Sequence, residues 1–125
     1  MKSEVRQFFT TLREKLPGIR AFFLLGGGGE LLAHAVEESH ANVRIDVDLF
    51  ASEYATLLRI AQSASRDTGM GELEEQILTS TKSLIVLYRF SKDRFGVFVC
   101  SPDEHLGRLR YELKRSLLYS TVSNL

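Results

Sequence analysis

Two apolar segments joined by only four residues constrain this fold more than any other feature of the sequence. The segments "SLIVLYRF" (Ser83–Phe90) and "FGVFVC" (Phe95–Cys100) flank the polar connection "SKDR". Short apolar runs rich in aromatic and β-branched residues are typical of strands that are covered on both faces. Because so short a connection joins antiparallel neighbours, the two segments are predicted to form a β-hairpin.

Hydrophobic periodicity places further elements before this hairpin. Apolar residues at three- and four-residue spacing predict amphipathic helices over residues 3–16 and over Leu49–Arg66, the second capped by Asp48. Short apolar or alternating segments predict strands over Ile19–Leu25 and Glu72–Ser80. This order predicts an α+β fold in which helices pack on the faces of an antiparallel sheet.

The last predicted helix carries a capping sequence at its start. The tetrapeptide "SPDE" places Ser101 at the N-cap, Pro102 at the first helical position and Glu104 three residues after the cap. An apolar stripe follows at helical spacing, made of Leu106, Leu109, Leu113 and Leu117. The basic residues of this segment are spread around more than one face, which favours a solvated surface over a nucleic-acid site.

Four consecutive glycines, Gly26–Gly29, follow the first predicted strand. A Walker A loop would need Lys and then Ser or Thr, but Glu30 comes next. The dinucleotide-binding pattern fails as well, because its third glycine would fall on Leu31 or Leu32. The glycines are therefore predicted to form a hairpin tip. Periodicity alone leaves the next segment, Glu30–Glu37, open between helix and strand.

Composition narrows the classes of function. The length of 125 residues predicts a single domain over residues 1–125. Lys plus Arg and Asp plus Glu are both 16, and the resulting zero net charge argues against a nucleic-acid partner. The apolar runs are too short for membrane insertion, and the N-terminal segment lacks the apolar core of a signal peptide, so a cytoplasmic location is expected.

The sequence contains no pattern typical of catalysis or of a cofactor. Cys100 lies in an apolar run and is predicted to be a buried, inert thiol. His34, His40 and His105 have no second ligand nearby at metal-binding spacing. A nucleophile elbow is also missing. We therefore expect no catalytic residue, no cofactor and no metal, and a protein that is not an enzyme.

The helix predicted over Leu49–Arg66 is apolar around more of its circumference than packing on its own domain requires. Its apolar arc is roughly twice the ~100° that a surface helix buries against its core. The second cover is expected to be another molecule, with a loop of the same chain as the alternative. Along the centre of the arc run Phe50, Tyr54, Leu57 and Ala61, flanked by Leu49 and Ile60 on one side and by Ala51 and Leu58 on the other.

The segment Gly71–Arg115 resembles the Roadblock family, which is named for a dynein light chain and is common in bacteria and archaea. The most specific part is "HLGRLRYELKR" (His105–Arg115), since the family's last helix often has a leucine–glycine pair followed, after a spacer, by an arginine–tyrosine–glutamate–leucine-like run. A looser resemblance covers about Pro17–Leu118. The chain departs from the family at its first hairpin, where Gly26–Gly29 replaces Asp-Gly-type residues.

The resemblance implies a roadblock/profilin-like fold of order α-β-β-α-β-β-β-α, with a five-stranded antiparallel sheet between helices. It makes Glu30–Val36 a strand. It also implies a homodimer in which the second helices meet and the third strands, about Glu72–Ser80, pair across the axis. The interface predicted in this way consists of Leu49, Phe50, Tyr54, Leu57, Leu58, Ile60, Ala61, Glu74, Gln76 and Leu78.

Roadblock proteins usually bind small Ras-like GTPases, some as activators and others as scaffolds. The resemblance therefore implies a non-catalytic, homodimeric regulator or scaffold of such a GTPase, one that would reposition the GTPase's own groups if it stimulates hydrolysis. Arg59 and Arg66 are exposed candidates on the second helix, but neither is assigned as an arginine finger. Two alternatives stay open: a small-molecule sensor domain, which needs a pocket with convergent polar groups, and a structural adaptor without effect on a GTPase.

Overall fold

A computed structural model describes residues 2–37 and 44–119, with side chains as far as Arg115. The predictions for His40 and for the Leu117 side chain fall outside this part of the chain. The elements follow the predicted order: α1 (Lys2–Lys15), β1 (Ile19–Gly26), β2 (Leu31–Val36), α2 (Val47–Asp67), β3 (Glu75–Thr79), β4 (Leu84–Ser91), β5 (Arg94–Cys100) and α3 (Leu106–Tyr119).

The strands form one five-stranded antiparallel sheet in the order β2-β1-β5-β4-β3. The hairpin predicted from the apolar pair is confirmed, with Leu87 opposite Val97 and Val86 opposite Phe98. The segment after the glycines is a strand, β2, as the resemblance implied. Because β5 and β1 lie inside the sheet, β2 and β3 form its two edges.

One face of the sheet is covered by α1 and α3. Phe8 of α1 packs edge-on against Phe22 and Phe98, with ring centroids 5.1 and 6.2 Å apart. Leu109 and Leu113 of α3 are fully buried in the same cluster. These contacts make this face a closed core, so the outer sides of α1 and α3 are the solvent-facing surface of this layer.

The opposite face is covered by α2 alone. Ala51, Ala55 and Leu58 turn toward the sheet, where Ala55 and Leu58 pack with the residues of β1, β4 and β5. Small alanines let the helix backbone approach the sheet closely. At the glycine turn, a Cβ on Gly29 would lie 2.9 Å from the Arg59 Nη1 and 3.1 Å from the Cβ of Ala55, and its φ of 90° is itself a conformation that favours glycine.

Both predicted helix starts are wrong in detail. The N-cap of α2 is Asp46, whose carboxylate accepts a 3.1 Å hydrogen bond from the Leu49 amide, while Asp48 lies inside the first turn. The third helix begins at Leu106. The Ser101 hydroxyl accepts a 3.3 Å hydrogen bond from the Asp103 amide and its carbonyl accepts one at 3.1 Å from the Glu104 amide, but these bonds close a turn that ends before the helix begins.

Across the described ranges, every helix is too short or too polar to cross a lipid bilayer.

Candidate interaction surface

Large apolar side chains stand exposed along the outer side of α2. The exposed fractions are 58% for Leu49, 36% for Leu57 and 62% for Ile60. Isolated apolar residues are common on protein surfaces, but a contiguous patch marks an interaction site. We call these three residues, with the half-buried Phe50, Tyr54 and Ala61 between them, the α2 surface.

Leu58 does not belong to this surface, which corrects the sequence-based prediction. Its side chain is fully buried among the core residues beneath α2. The apolar arc of the helix has two flanks, and the sequence pattern does not say which flank faces the sheet. The structure turns the flank of Ala51 and Leu58 inward, so Leu49 and Ile60 on the other flank point outward.

Phe50 and Tyr54 are the residues of the α2 surface whose side chains are held in place by stacking. The Phe50 ring stacks on Phe23 of the sheet at a centroid distance of 4.5 Å and on Tyr54 at 4.3 Å. Burial also raises the pKa of the Tyr54 hydroxyl above its ordinary value, so the ring stays neutral at physiological pH. Aromatic stacking fixes these two rings before any partner arrives, which lowers the entropy cost of binding.

A groove of about 570 Å³ lies between the N-terminal half of α2 and the β3–β4 hairpin. Leu49, Phe50 and Leu57 line its helix side, and Ile85 and Val99 line its sheet side. Its largely apolar lining suits an apolar side chain from another molecule.

The edge strand β3 and the residue before it, Glu74, hold the remaining predicted residues. Glu74 is exposed, whereas Gln76 and Leu78 are half-buried. Leu78 packs under α2 with the core of that face. The Gln76 side-chain oxygen is buried and accepts no hydrogen bond. Within the described chain β3 pairs only with β4, so its outer edge offers backbone groups to a further strand.

The cysteine and the two histidines of the described residues lie apart from one another. Cys100 is buried as predicted, and burial raises the pKa of its thiol to about 12, so it stays protonated at neutral pH. His34 is exposed on β2, stacked 6.0 Å from Phe23, and His105 is exposed before α3. Across residues 2–37 and 44–119, no three His, Cys, Asp or Glu residues come together as metal ligands.

Comparison with known proteins finds likeness in structure rather than in sequence. No protein-family model and no curated protein matches this chain. The solved structures that it resembles include MglB with tetrameric arrangement (TM-score 0.77, 17% identity, 92% of this chain and 83% of the other). The gliding protein MglB from Thermus thermophilus is similarly close (TM-score 0.76, 17% identity, 92% and 84%). The Roadblock/LC7 domain from Streptomyces avermitilis follows (TM-score 0.71, 14% identity, 87% and 88%).

The fold thus defines the class: this chain has the roadblock-family fold, as the motif in its last helix indicated. Among the solved structures that share this fold, MglB superposes over nine-tenths of the chain. At these low identities the likeness establishes the fold.

Proposed function

We propose that this chain is a single-domain, cytoplasmic, non-catalytic regulator or scaffold that forms a homodimer and binds a small Ras-like GTPase. The observation that carries the proposal is the exposed α2 surface beside the open edge of β3. Leu49, Leu57 and Ile60 expose apolar area that would leave water on contact with a second molecule. The similarity to MglB, which has been solved in a tetrameric arrangement, supports self-association.

The charges of α2 favour a second copy as the molecule that covers it. Asp46, Asp48 and Glu53 outnumber Arg44 around the N-terminal end of the helix, and Arg59 and Arg66 outnumber Asp67 toward its C-terminal end. If two copies of α2 pair antiparallel, the acidic end of each faces the basic end of the other. Electrostatic complementarity of this kind sets orientation and excludes wrong partners.

The β3 edge supports the same arrangement. Two β3 strands pairing across a two-fold axis would join the two sheets and cover Leu78 further. Pairing there would also bring backbone and side-chain donors close to the unpaired oxygen of Gln76, whose burial without a hydrogen bond costs about 1–3 kcal/mol.

The chemistry of the described residues is compatible with the proposed regulatory role. They hold no assembled nucleophile, base or metal site, so this chain would act by positioning the groups of its partner. Arg66 is occupied by a bidentate contact to Glu72, with the closer pair of atoms 2.8 Å apart. Arg59 donates a single side-chain hydrogen bond, to the Thr56 hydroxyl at 3.2 Å, which leaves it the more available of the two arginines.

The direct experiment is a pull-down of a Ras-like GTPase encoded beside this chain, loaded with GDP or with a GTP analogue. Preferential capture of one nucleotide state, together with faster GTP hydrolysis, supports a regulator. Capture with an unchanged hydrolysis rate identifies a scaffold or structural adaptor. If the GTPase is captured in neither nucleotide state, the result contradicts GTPase binding.

A further inference from the structure

A second, polar cavity of about 340 Å³ lies on the α2 side of the sheet, away from the apolar groove. It opens between the C-terminal end of α2, the glycine turn at Gly27 and the turn that joins β4 to β5. Its volume lies within the range typical of small-molecule sites. Apart from this glycine its lining is entirely polar, made of Gln62, Arg66, Glu72, Arg89, Lys92 and Asp93.

Gln62 is the observation that points to a ligand. Its side chain is only 7% exposed, and its amide makes no hydrogen bond with the described part of the chain. It continues the inward-facing row of Ala51, Ala55 and Leu58, where an apolar residue would be expected. The amide of this mostly buried residue keeps access to the cavity, so its hydrogen-bond partners are whatever molecule occupies the cavity, either water or a ligand.

The cations around Gln62 are only partly used. Arg89 donates from Nε to the Ser91 carbonyl and from Nη1 to a Glu74 carboxylate oxygen, each at 3.3 Å, which leaves Nη2 without an acceptor among the described residues. Lys92 makes no hydrogen bond or ion pair with the described residues. Three groups that line the cavity therefore have hydrogen-bonding capacity that the described residues do not use: the Nη2 of Arg89, the Lys92 ammonium and the Gln62 amide.

Arg66 already binds a carboxylate, the side chain of Glu72, at the wall of this cavity. Its guanidinium donates from Nε to Oε1 of Glu72 at 3.2 Å and from Nη2 to Oε2 at 2.8 Å, a fork that matches the two oxygens of a carboxylate. Glu72 holds Arg66 and Glu74 holds one end of Arg89, so the cationic donors left for a ligand are Lys92 and the Nη2 of Arg89. We propose that the cavity binds a carboxylate ligand, with Gln62, Arg89 and Lys92 donating to its oxygens.

This proposal does not depend on GTPase binding, and NMR on the intact protein tests it. The side-chain amide signals of Gln62 are followed while sodium succinate is added, with sodium chloride at equal ionic strength as the reference. A saturable shift with succinate alone is the expected result. A capped glutamate residue is titrated in parallel, and binding of that compound instead of succinate assigns the site to an acidic side chain of a partner protein.

Two variants make the test specific. Lys92→Gln removes an exposed cation of the cavity and should weaken succinate binding about tenfold, the cost of one charge-assisted hydrogen bond. Lys114→Gln, an exposed lysine on α3 across the sheet, is the matched control and should bind as the parent does. The proposal is overturned if neither carboxylate compound gives a saturable shift, if both variants behave alike, or if inorganic phosphate binds more tightly than succinate.

Discussion

Leu58 and Ile60 lie two positions apart on α2 and face opposite environments: Leu58 is fully buried, and Ile60 is 62% exposed. The same helix therefore stabilises the domain through one side and exposes the α2 surface, the proposed docking surface, on the other. Substitutions at the two positions should separate folding from association.

Leu58→Ala should lower the free energy of unfolding by about 2–5 kcal/mol, because it removes core contacts and leaves a cavity. Chemical denaturation at fixed protein concentration measures the change. Ile60→Ala, at the exposed neighbour, is the control for the folding of one chain. An Ile60→Ala loss as large as that of Leu58→Ala, with no change in oligomeric state, would contradict the burial difference.

Gly29→Ala should destabilise the protein by about 1–3 kcal/mol, because its φ of 90° is strained for alanine and the added Cβ would crowd Ala55. Gly28→Ala is the matched control in the same turn. Its φ is not positive, and an added Cβ would meet only the flexible end of Glu30, so its effect should be small. Thermal unfolding of the two variants tests this contrast, and equal losses would contradict the close approach of α2.

Gln62→Met should not lower the free energy of unfolding of the ligand-free protein, because the Gln62 amide faces the cavity and makes no hydrogen bond with the described residues that methionine would lose. The midpoint of urea denaturation reports the change. A marked loss of stability in Gln62→Met would show that the amide has partners within the protein.

Cys100 should resist thiol reagents in the native protein, because its side chain is buried and its pKa is raised to about 12. Labelling at pH 8 should become fast only when denaturant unfolds the chain, and mass spectrometry follows it. Rapid labelling without denaturant would contradict the burial of β5.

The strands were predictable because their signals are local. The two apolar segments on either side of residues 91–94 indicate buried strands, and the glycines indicate a tight turn, without reference to distant residues. The segment after the glycines was not decided by periodicity, since "LLAHAV" suits a helix as well as a strand. Its pairing with β1 decides the matter, and that pairing is a tertiary contact.

The candidate surface was only partly predictable. The pattern of α2 indicated an apolar arc too wide for one contact, but the inward flank depends on how the helix lies on the sheet, which placed Leu58 in the core. The capping prediction at Ser101 was wrong about the element that it starts, because the hydrogen bonds accepted by Ser101 close a separate turn and the helix begins only at Leu106. The polar cavity brings together residues from Gly27 to Asp93, and no sequence spacing indicates it.

The most direct test of the account is sedimentation analysis of the Ile60→Glu variant beside the parent protein at micromolar concentration. Tyr111→Glu is the control, because Tyr111 is also 62% exposed but lies on α3, across the sheet. The account predicts that the parent and Tyr111→Glu sediment as dimers and that Ile60→Glu sediments as a folded monomer with unchanged circular dichroism. A monomeric parent protein, or a dimer that Ile60→Glu leaves intact, would contradict it.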